Sequence, residues 1–239
     1  MSPSEPRVLS SRESLARFLV NLLFPPRCMV CRRMDTWLCP ACVPQLPWLD
    51  GTICTRCGLP IQAGELCPRC AQTPLRLDGI RSALLFDGPA REAIHRLKYR
   101  QGRQLAEPLG GLLRMYWEEH PLPVNVIVPV PLHPSRLRQR GYNQAALLAR
   151  ELGRKIGLPV NEKALLRVRA TASQMRLSAA DRRRNVQDAF QCSDDRVAGQ
   201  KVLLLDDVCT TGATLEACAD ALHSKGAAAV WALTLARAP

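Results

Sequence analysis

From about residue 77 the chain alternates short apolar runs with longer stretches in which apolar residues recur every three or four positions. Residues 80–86 (IRSALLF), 124–130 (VNVIVPV), 201–205 (KVLLL) and 228–235 (AAVWALTL) read as strands. The 124–130 and 201–205 runs are short and apolar enough to be buried on both faces. Residues 89–99, 105–117, 143–156 and 214–224 carry a helical period, with Pro89 in a first turn and Gly157 and Gly226 as stops. Residues 178–190 open with Ser178 three positions before Asp181, the spacing of a capping box, and continue as an Arg-rich helix. Strands alternating with helices predict an α/β domain: a parallel sheet flanked by helices.

Upstream the pattern changes. Leu15, Phe18, Leu19, Leu22 and Leu23 line one face of a short amphipathic helix, with Ser10 and Glu13 spaced as its capping box and Pro25-Pro26 as its stop. A membrane-surface helix is the minority reading. No apolar run is long enough to span a bilayer, and Arg12, Glu13 and Arg17 break any targeting signal. A cytoplasmic protein is expected. Between the helix and the α/β pattern lies a loop-rich stretch with prolines at 40, 44, 47, 60 and 68. The expected organisation is therefore residues 1–25 as a helix, 26–76 as a Cys-rich module and 77–239 as the α/β domain.

Cysteine usage defines that module. Eight of the eleven cysteines form four C-x-x-C pairs: Cys28/Cys31, Cys39/Cys42, Cys54/Cys57 and Cys67/Cys70. In a reducing compartment such pairs are zinc ligands rather than disulfides, and two knuckles complete one tetrahedral, closed site. An iron–sulfur cluster is the lesser alternative. The loops within the first two and the last two pairs are seven and nine residues, against eleven between the second and third. Shorter closure favours two sequential zinc sites over a cross-braced arrangement, though the length dependence is shallow. Zinc would supply the stability that so few apolar residues cannot. Cys192, Cys209 and Cys218 stand alone, and Cys209 reads as a small packing residue.

Charge adds a further constraint. Of the net +12, residues 134–184 contribute 13 Lys/Arg against Glu151, Glu162 and Asp181. That density suits a polyanion, whether a phosphorylated small molecule or nucleic acid; a solvated basic surface is the other reading.

The chemistry concentrates in residues 202–215, VLLLDDVCTTGATL. An apolar strand ends in Asp206 and Asp207, and a turn of small residues from Val208 to Ala213 leads into a helix. Ligands of parallel sheets bind beyond the carboxyl ends of strands. Small residues let backbone N–H groups converge on an anion at a helix N-terminus, and Thr210, Thr211 and Thr214 add hydroxyls. Carboxylates beside an anion cradle make sense if the ligand also brings vicinal hydroxyls or a divalent cation. A G-x-x-x-x-G-K-[ST] loop is absent, which counts against an ATPase.

DDVCTTGAT resembles the signature of type I phosphoribosyltransferases. The resemblance implies that Thr210, Thr211, Gly212, Ala213 and Thr214 hold the 5′-phosphate of phosphoribosyl pyrophosphate while Asp206 and Asp207 meet the ribose 2′- and 3′-hydroxyls. Together with LLFPPRC at 22–28, LKYRQG at 97–102, VPVPLHPSRLRQRGYNQ at 128–144 and SQMRLSAADRRRNVQDAF at 173–190, the whole chain is similar to the ComF family (ComFC and GntX-like proteins), associated with natural competence. By that resemblance the 129–133 turn, with Leu132 and His133, faces the pyrophosphate, and relatives often hold a non-proline cis peptide there. Arg140, Asn143, Gln144, Lys98 and Arg100 would lie beside it, and residues 174–185 would form an Arg-rich lid.

The implied reaction is displacement of pyrophosphate from ribose C1, with Mg²⁺ neutralising the leaving group. The acceptor is not implied, because Thr210 stands where purine-salvage relatives carry an acid. Two functions of different class follow. One is a phosphoribosyltransferase acting in uptake and use of imported DNA. The other is a non-catalytic accessory binding single-stranded DNA, modulated by phosphoribosyl pyrophosphate. Aromatic stacking residues are sparse in the basic stretch, where Tyr142 and Phe190 are the candidates. Competence or DNA-uptake proteins are partners of either. His95, His120 and His223 carry no assigned role.

Overall fold

The computed structural model describes residues 25–170, Val186 and residues 188–238, with the side chains of Arg100 and Gln101 excepted. The helix expected at 15–24 and the whole of the Arg-rich segment at 174–185 lie outside these residues. The chain divides into two compact units, residues 1–45 and 46–239.

In the smaller unit, Cys28 and Cys31 open a tight knuckle, closed by Arg32 N–H donating to the Cys28 carbonyl at 3.0 Å and Cys28 N–H to Arg33 at 2.8 Å. A 3-10 helix, Pro40–Gln45, carries Cys42 inward. Buried Met29 is held by a bond from its N–H to the Trp37 carbonyl at 2.9 Å.

The larger unit begins with the second pair of knuckles and a short helix α1 (Pro68–Gln72). Then follow β1 (Gly79–Leu85), α2 (Gly88–Leu97), α3 (Ala106–Glu119), β2 (Val126–Pro129), α4 (Pro134–Arg140), α5 (Gln144–Ile156), β3 (Leu165–Arg167), β4 (Phe190–Cys192), β5 (Lys201–Cys209), α6 (Ala213–His223) and β6 (Ala229–Arg237). Four strands form a parallel sheet in the order β1-β6-β5-β2, while β3 and β4 pair as a separate antiparallel ribbon.

Strand β5 is central, and its alternation sets both faces of the sheet. Val202 and Leu204 join Leu215, Cys218, Ala219 and Leu222 of α6, and Leu165 and Phe190 of the ribbon, in one buried cluster. Leu203 and Leu205 point the other way, toward the face covered by α3 and α5 with buried Leu109, Leu113, Leu148 and Leu152. All four residues Val202–Leu205 are fully buried, each contributing about 1.5–3 kcal/mol of burial free energy. Asn143 caps α5 by accepting from Ala145 N–H at 3.0 Å, and the helix closes at Gly157.

Several expectations need correction. Strand β5 runs to Cys209, so the turn before α6 is only Thr210–Thr211–Gly212. Phe190 begins β4 rather than ending a helix. Helix α4 and the β3–β4 ribbon are additions. Among the described residues no helix is long and apolar enough to cross a membrane.

Candidate functional site

The parallel register brings two loops to one edge. Pro129 of β2 lies opposite Leu205 of β5, and Val130 N–H donates to the Leu205 carbonyl at 2.9 Å. The 130–133 segment therefore leaves β2 beside the Asp206–Cys209 end of β5 and the turn that follows it, where ligands of parallel sheets bind.

Asp206 and Asp207 point to opposite faces, as strand alternation demands. Asp207, on the α2/α5 side, is 4% exposed. Lys98 Nζ, at the end of α2, sits 2.9 Å from its Oδ2, and Gln144 Nε2 donates to Oδ1 at 3.4 Å. Arg140 donates to the Gln144 carboxamide oxygen, extending the chain of contacts to the end of α4. Burial acts to raise the Asp207 carboxyl, but the Lys98 charge and hydrogen bonds from Asp206, Lys98 and Gln144 together hold it below the ordinary value. Asp206, on the α6 side, is driven well above that value by burial first and then by the charge of Asp207. Its Oδ1 accepts from Asp207 N–H at 2.8 Å. The pair thus holds one proton more readily than two separate aspartates would, with the charge residing on Asp207.

Tyr142 places Lys98. Its buried hydroxyl donates to the Leu97 carbonyl at 2.5 Å and lies against that of Tyr99, pinning the end of α2 to the α4–α5 turn. Asn143 Nδ2 donates to the Val130 carbonyl at 2.9 Å and so fixes the 130–133 segment.

In the turn, Thr210 is exposed, Thr211 and Thr214 are half-buried, and Gly212 and Ala213 are buried. Gly212 takes φ +82°, a left-handed conformation that favours glycine, and a Cβ there would also come within 3.1 Å of Ile80 Cδ1. Thr211 Oγ1 accepts from Ala213 N–H at 3.4 Å.

Among the residues expected near pyrophosphate, Lys98 and Arg140 join the Asp207 network. Leu132 is half-buried on the adjacent loop. His133 is turned instead to the start of α4, where Nδ1 accepts from Ser135 N–H at 3.3 Å and lies 2.7 Å from Ser135 Oγ. The Arg100 side chain lies outside the described residues. The described peptides are all trans, including those of the 129–133 turn, where the resemblance implied a cis bond.

The basic stretch is less uniform than its composition. Arg150 is paired with Glu162 at 2.5 Å, Arg154 with Glu151 at 2.9 Å and Lys155 with Glu107 at 3.2 Å. Arg167 is buried over the Phe190 ring, 5.3 Å from its centroid. Its pKa is lowered by burial first and then by the charge of Arg136.

The eight knuckle cysteines gather as expected into two sets, Cys28, Cys31, Cys39, Cys42 and Cys54, Cys57, Cys67, Cys70, each with its sulfurs within 4.8 Å of one another. Four thiolates about 2.3 Å from a tetrahedral zinc stand roughly 3.8 Å apart. Cys28–Cys39, Cys31–Cys39 and Cys57–Cys67 are separated by 3.8, 3.7 and 3.7 Å. Burial opposes ionisation of Cys28, but N–H donors from Cys39, Cys31 and Val30 bring its pKa down to about 6. Burial likewise opposes ionisation of Cys54, and donors from Cys57, Cys67 and Arg56 bring it to about 6. Both sets fit structural zinc.

Arg69 and Arg237 were not legible as site residues. Arg69, between ligands Cys67 and Cys70, donates to the Thr211 carbonyl at 2.6 Å and to Glu216 Oε2 at 3.2 Å. Buried Arg237 donates to the Cys57 carbonyl and lies 2.8 Å from Cys209 Sγ. The second zinc group therefore packs on the turn itself.

Comparison with known proteins extends this picture. A double zinc ribbon domain model matches residues 19–71, and a phosphoribosyl transferase domain model matches residues 139–239. The chain is 34% identical over 226 residues to the DNA utilization protein YhgH of Escherichia coli K12, covering 90% of this chain and 99% of that one. The chain belongs to the ComF family. Within it, competence protein F of Haemophilus influenzae is 33% identical, covering 89% of this chain and 97% of the relative. Competence protein ComFC of Bacillus subtilis is 28% identical, covering 88% of each. Both cysteine sets lie inside the zinc ribbon match, and Asp206–Thr214 lies inside the transferase match of this ComF protein.

Proposed function

We propose that this ComF protein binds phosphoribosyl pyrophosphate with Mg²⁺ at the carboxyl ends of β2 and β5, and serves in the handling of imported DNA. The observation that carries the reading is the acidic pair near the carboxyl end of buried strand β5, which after Val208 and Cys209 gives way to a three-residue turn into the α6 N-terminus. The turn's N–H groups and the Thr210, Thr211 and Thr214 hydroxyls would receive the 5′-phosphate, with Gly212 and Ala213 allowing close approach. Asp206 and Asp207 would accept from the ribose hydroxyls. Leu132 and His133 would flank the pyrophosphate through the backbone, and Lys98, Arg100 and Arg140 would supply positive charge.

The carboxylate oxygens of the acidic pair fit a hard dication, and a cation there would oppose the burial and the Asp207 charge that raise Asp206. When bound, Mg²⁺ would neutralise charge on the pyrophosphate. A ligand that requires Asp206 ionised displaces its proton, so affinity rises as pH rises through the elevated Asp206 value. The role in DNA handling is supported by the names of the relatives, DNA utilization protein and competence protein. The same names favour a second reading, a non-catalytic accessory that holds single-stranded DNA under control of this ligand.

Pyrophosphate release from phosphoribosyl pyrophosphate and Mg²⁺, with and without candidate bases, separates the two. Turnover abolished by Asp206→Asn with Asp207→Asn supports a transferase. No turnover with salt-dependent binding of single-stranded DNA supports the accessory role. In either case the double variant keeps its zinc and its fold but loses ligand binding by calorimetry. Undiminished affinity would overturn the site.

A further inference from the structure

We propose that the second zinc group sets the shape of the phosphate turn through Arg69 and Arg237, so that zinc occupancy there and ligand affinity are linked. The ligand arm rests on the phosphoribosyl pyrophosphate reading above; the shape arm does not.

The two guanidinium groups bracket the turn. Arg237 reaches Cys209, the residue before it, and Arg69 reaches the carbonyl of Thr211 within it and Glu216 one turn into α6. Each also has a foot in the zinc group. Arg69 is flanked by Cys67 and Cys70, and Arg237 donates to the Cys57 carbonyl at 2.8 Å. Ile80 lies between the two structures: its N–H donates to the Arg56 carbonyl at 2.7 Å, and its Cδ1 faces Gly212. The zinc group is therefore one wall of the turn.

The grip on Thr211 has a directional consequence. In a trans peptide the carbonyl and the following N–H point in opposite directions. Arg69 draws the Thr211 carbonyl toward the zinc group and thereby aims the Gly212 N–H away from it. Glu216 sits in the first turn of α6, where a carboxylate opposes a bound anion, and Arg69 neutralises it. Arg69 and Arg237 are thus positioning residues. They hold the turn in shape, and the zinc ligands hold them.

By reciprocity, a ligand that requires the held turn also tightens zinc in the second group by the same factor. Two measurements on the full chain test this. Amide exchange at residues 210–214, without ligand, should accelerate about tenfold or more in Arg69→Met with Glu216→Gln, the scale of one charge-assisted hydrogen bond. Zinc content and exchange in β5 should stay unchanged. Unaltered exchange at 210–214 would overturn the proposal. Second, competition with a chromogenic chelator should show phosphoribosyl pyrophosphate with Mg²⁺ tightening one of the two zinc ions in the wild type. That effect should vanish in the Arg69 variant. If calorimetry shows wild-type ligand binding and neither zinc ion tightens, the linkage is wrong. If the wild type binds no ligand, the ligand reading itself fails, and the exchange measurement still decides whether the zinc group shapes the turn.

Discussion

The two zinc groups are built on the same knuckle and placed in different surroundings. After Cys28-x-x-Cys31 comes Arg32 at φ +63°; after Cys54-x-x-Cys57 comes Gly58 at φ +66°. Arg32 N–H donates to the Cys28 carbonyl at 3.0 Å and Gly58 N–H to the Cys54 carbonyl at 2.9 Å, and each first cysteine is closed by an equivalent 2.8 Å bond. The knuckle thus demands a left-handed residue at one position, whatever its side chain. What differs is the neighbour. A Cβ on Gly58 would lie 2.5 Å from the Ile80 carbonyl oxygen of β1, whereas Arg32 is exposed. All four ligands of the second group are buried, while Cys31 of the first is exposed. Zinc coordination fixes the knuckle; packing on the sheet decides how much else depends on it.

The largest expected effect tests that dependence directly. A structural zinc contributes on the order of 10 kcal/mol to folding, comparable to the whole stability of an ordinary domain. Cys57→Ser should therefore abolish the cooperative unfolding of the larger unit, whereas Cys31→Ser should leave that transition in place while zinc content falls from two ions to one. Calorimetry with metal analysis on both variants decides the matter. Equal losses would erase the distinction between the groups.

Gly58→Ala comes next. It forces a Cβ into a left-handed position and against a backbone carbonyl that is itself tied into β1. A cost of about 2–3 kcal/mol is expected, from backbone strain plus displacement of β1. Urea titration would measure it, and a cost below about 1 kcal/mol would show that the second knuckle sits more loosely on β1.

This contrast also shows what could be read from sequence. The C-x-x-C pairs announce both zinc groups, and the apolar run ending in Asp206 and Asp207 announces the site, because burial followed by charge is a one-dimensional pattern. The long strands and helices carry periods for the same reason. Strands β3 and β4 have three residues each, too few for any period, and α4 buries none of its residues. Arg69, Arg237 and the positioning role of Tyr142 stayed hidden for another reason. Their partners include the carbonyls of Thr211, Cys57 and Leu97, and a carbonyl acceptor leaves no mark on residue identity. The residues in those contacts are 142, 180 and 45 positions apart. Only the assembled sheet brings them together.

The smallest expected effect sharpens the comparison from the other side. If Arg32 merely tolerates the left-handed position, Arg32→Gly relieves roughly 1 kcal/mol of backbone strain. The same change frees the unfolded chain by about 0.4–1 kcal/mol, which offsets much of the gain. A net stabilisation of a few tenths of a kcal/mol is expected, together with slightly tighter zinc in the first group. Arg32→Val separates strain from any loss of the arginine's own interactions, since a β-branched residue is least at ease at positive φ. The expected order of zinc affinity is Gly, then Arg, then Val, measured by chelator competition. Should Val match Gly, the position would not be governed by backbone conformation. The exposed knuckle would then differ from the buried one in more than its neighbour.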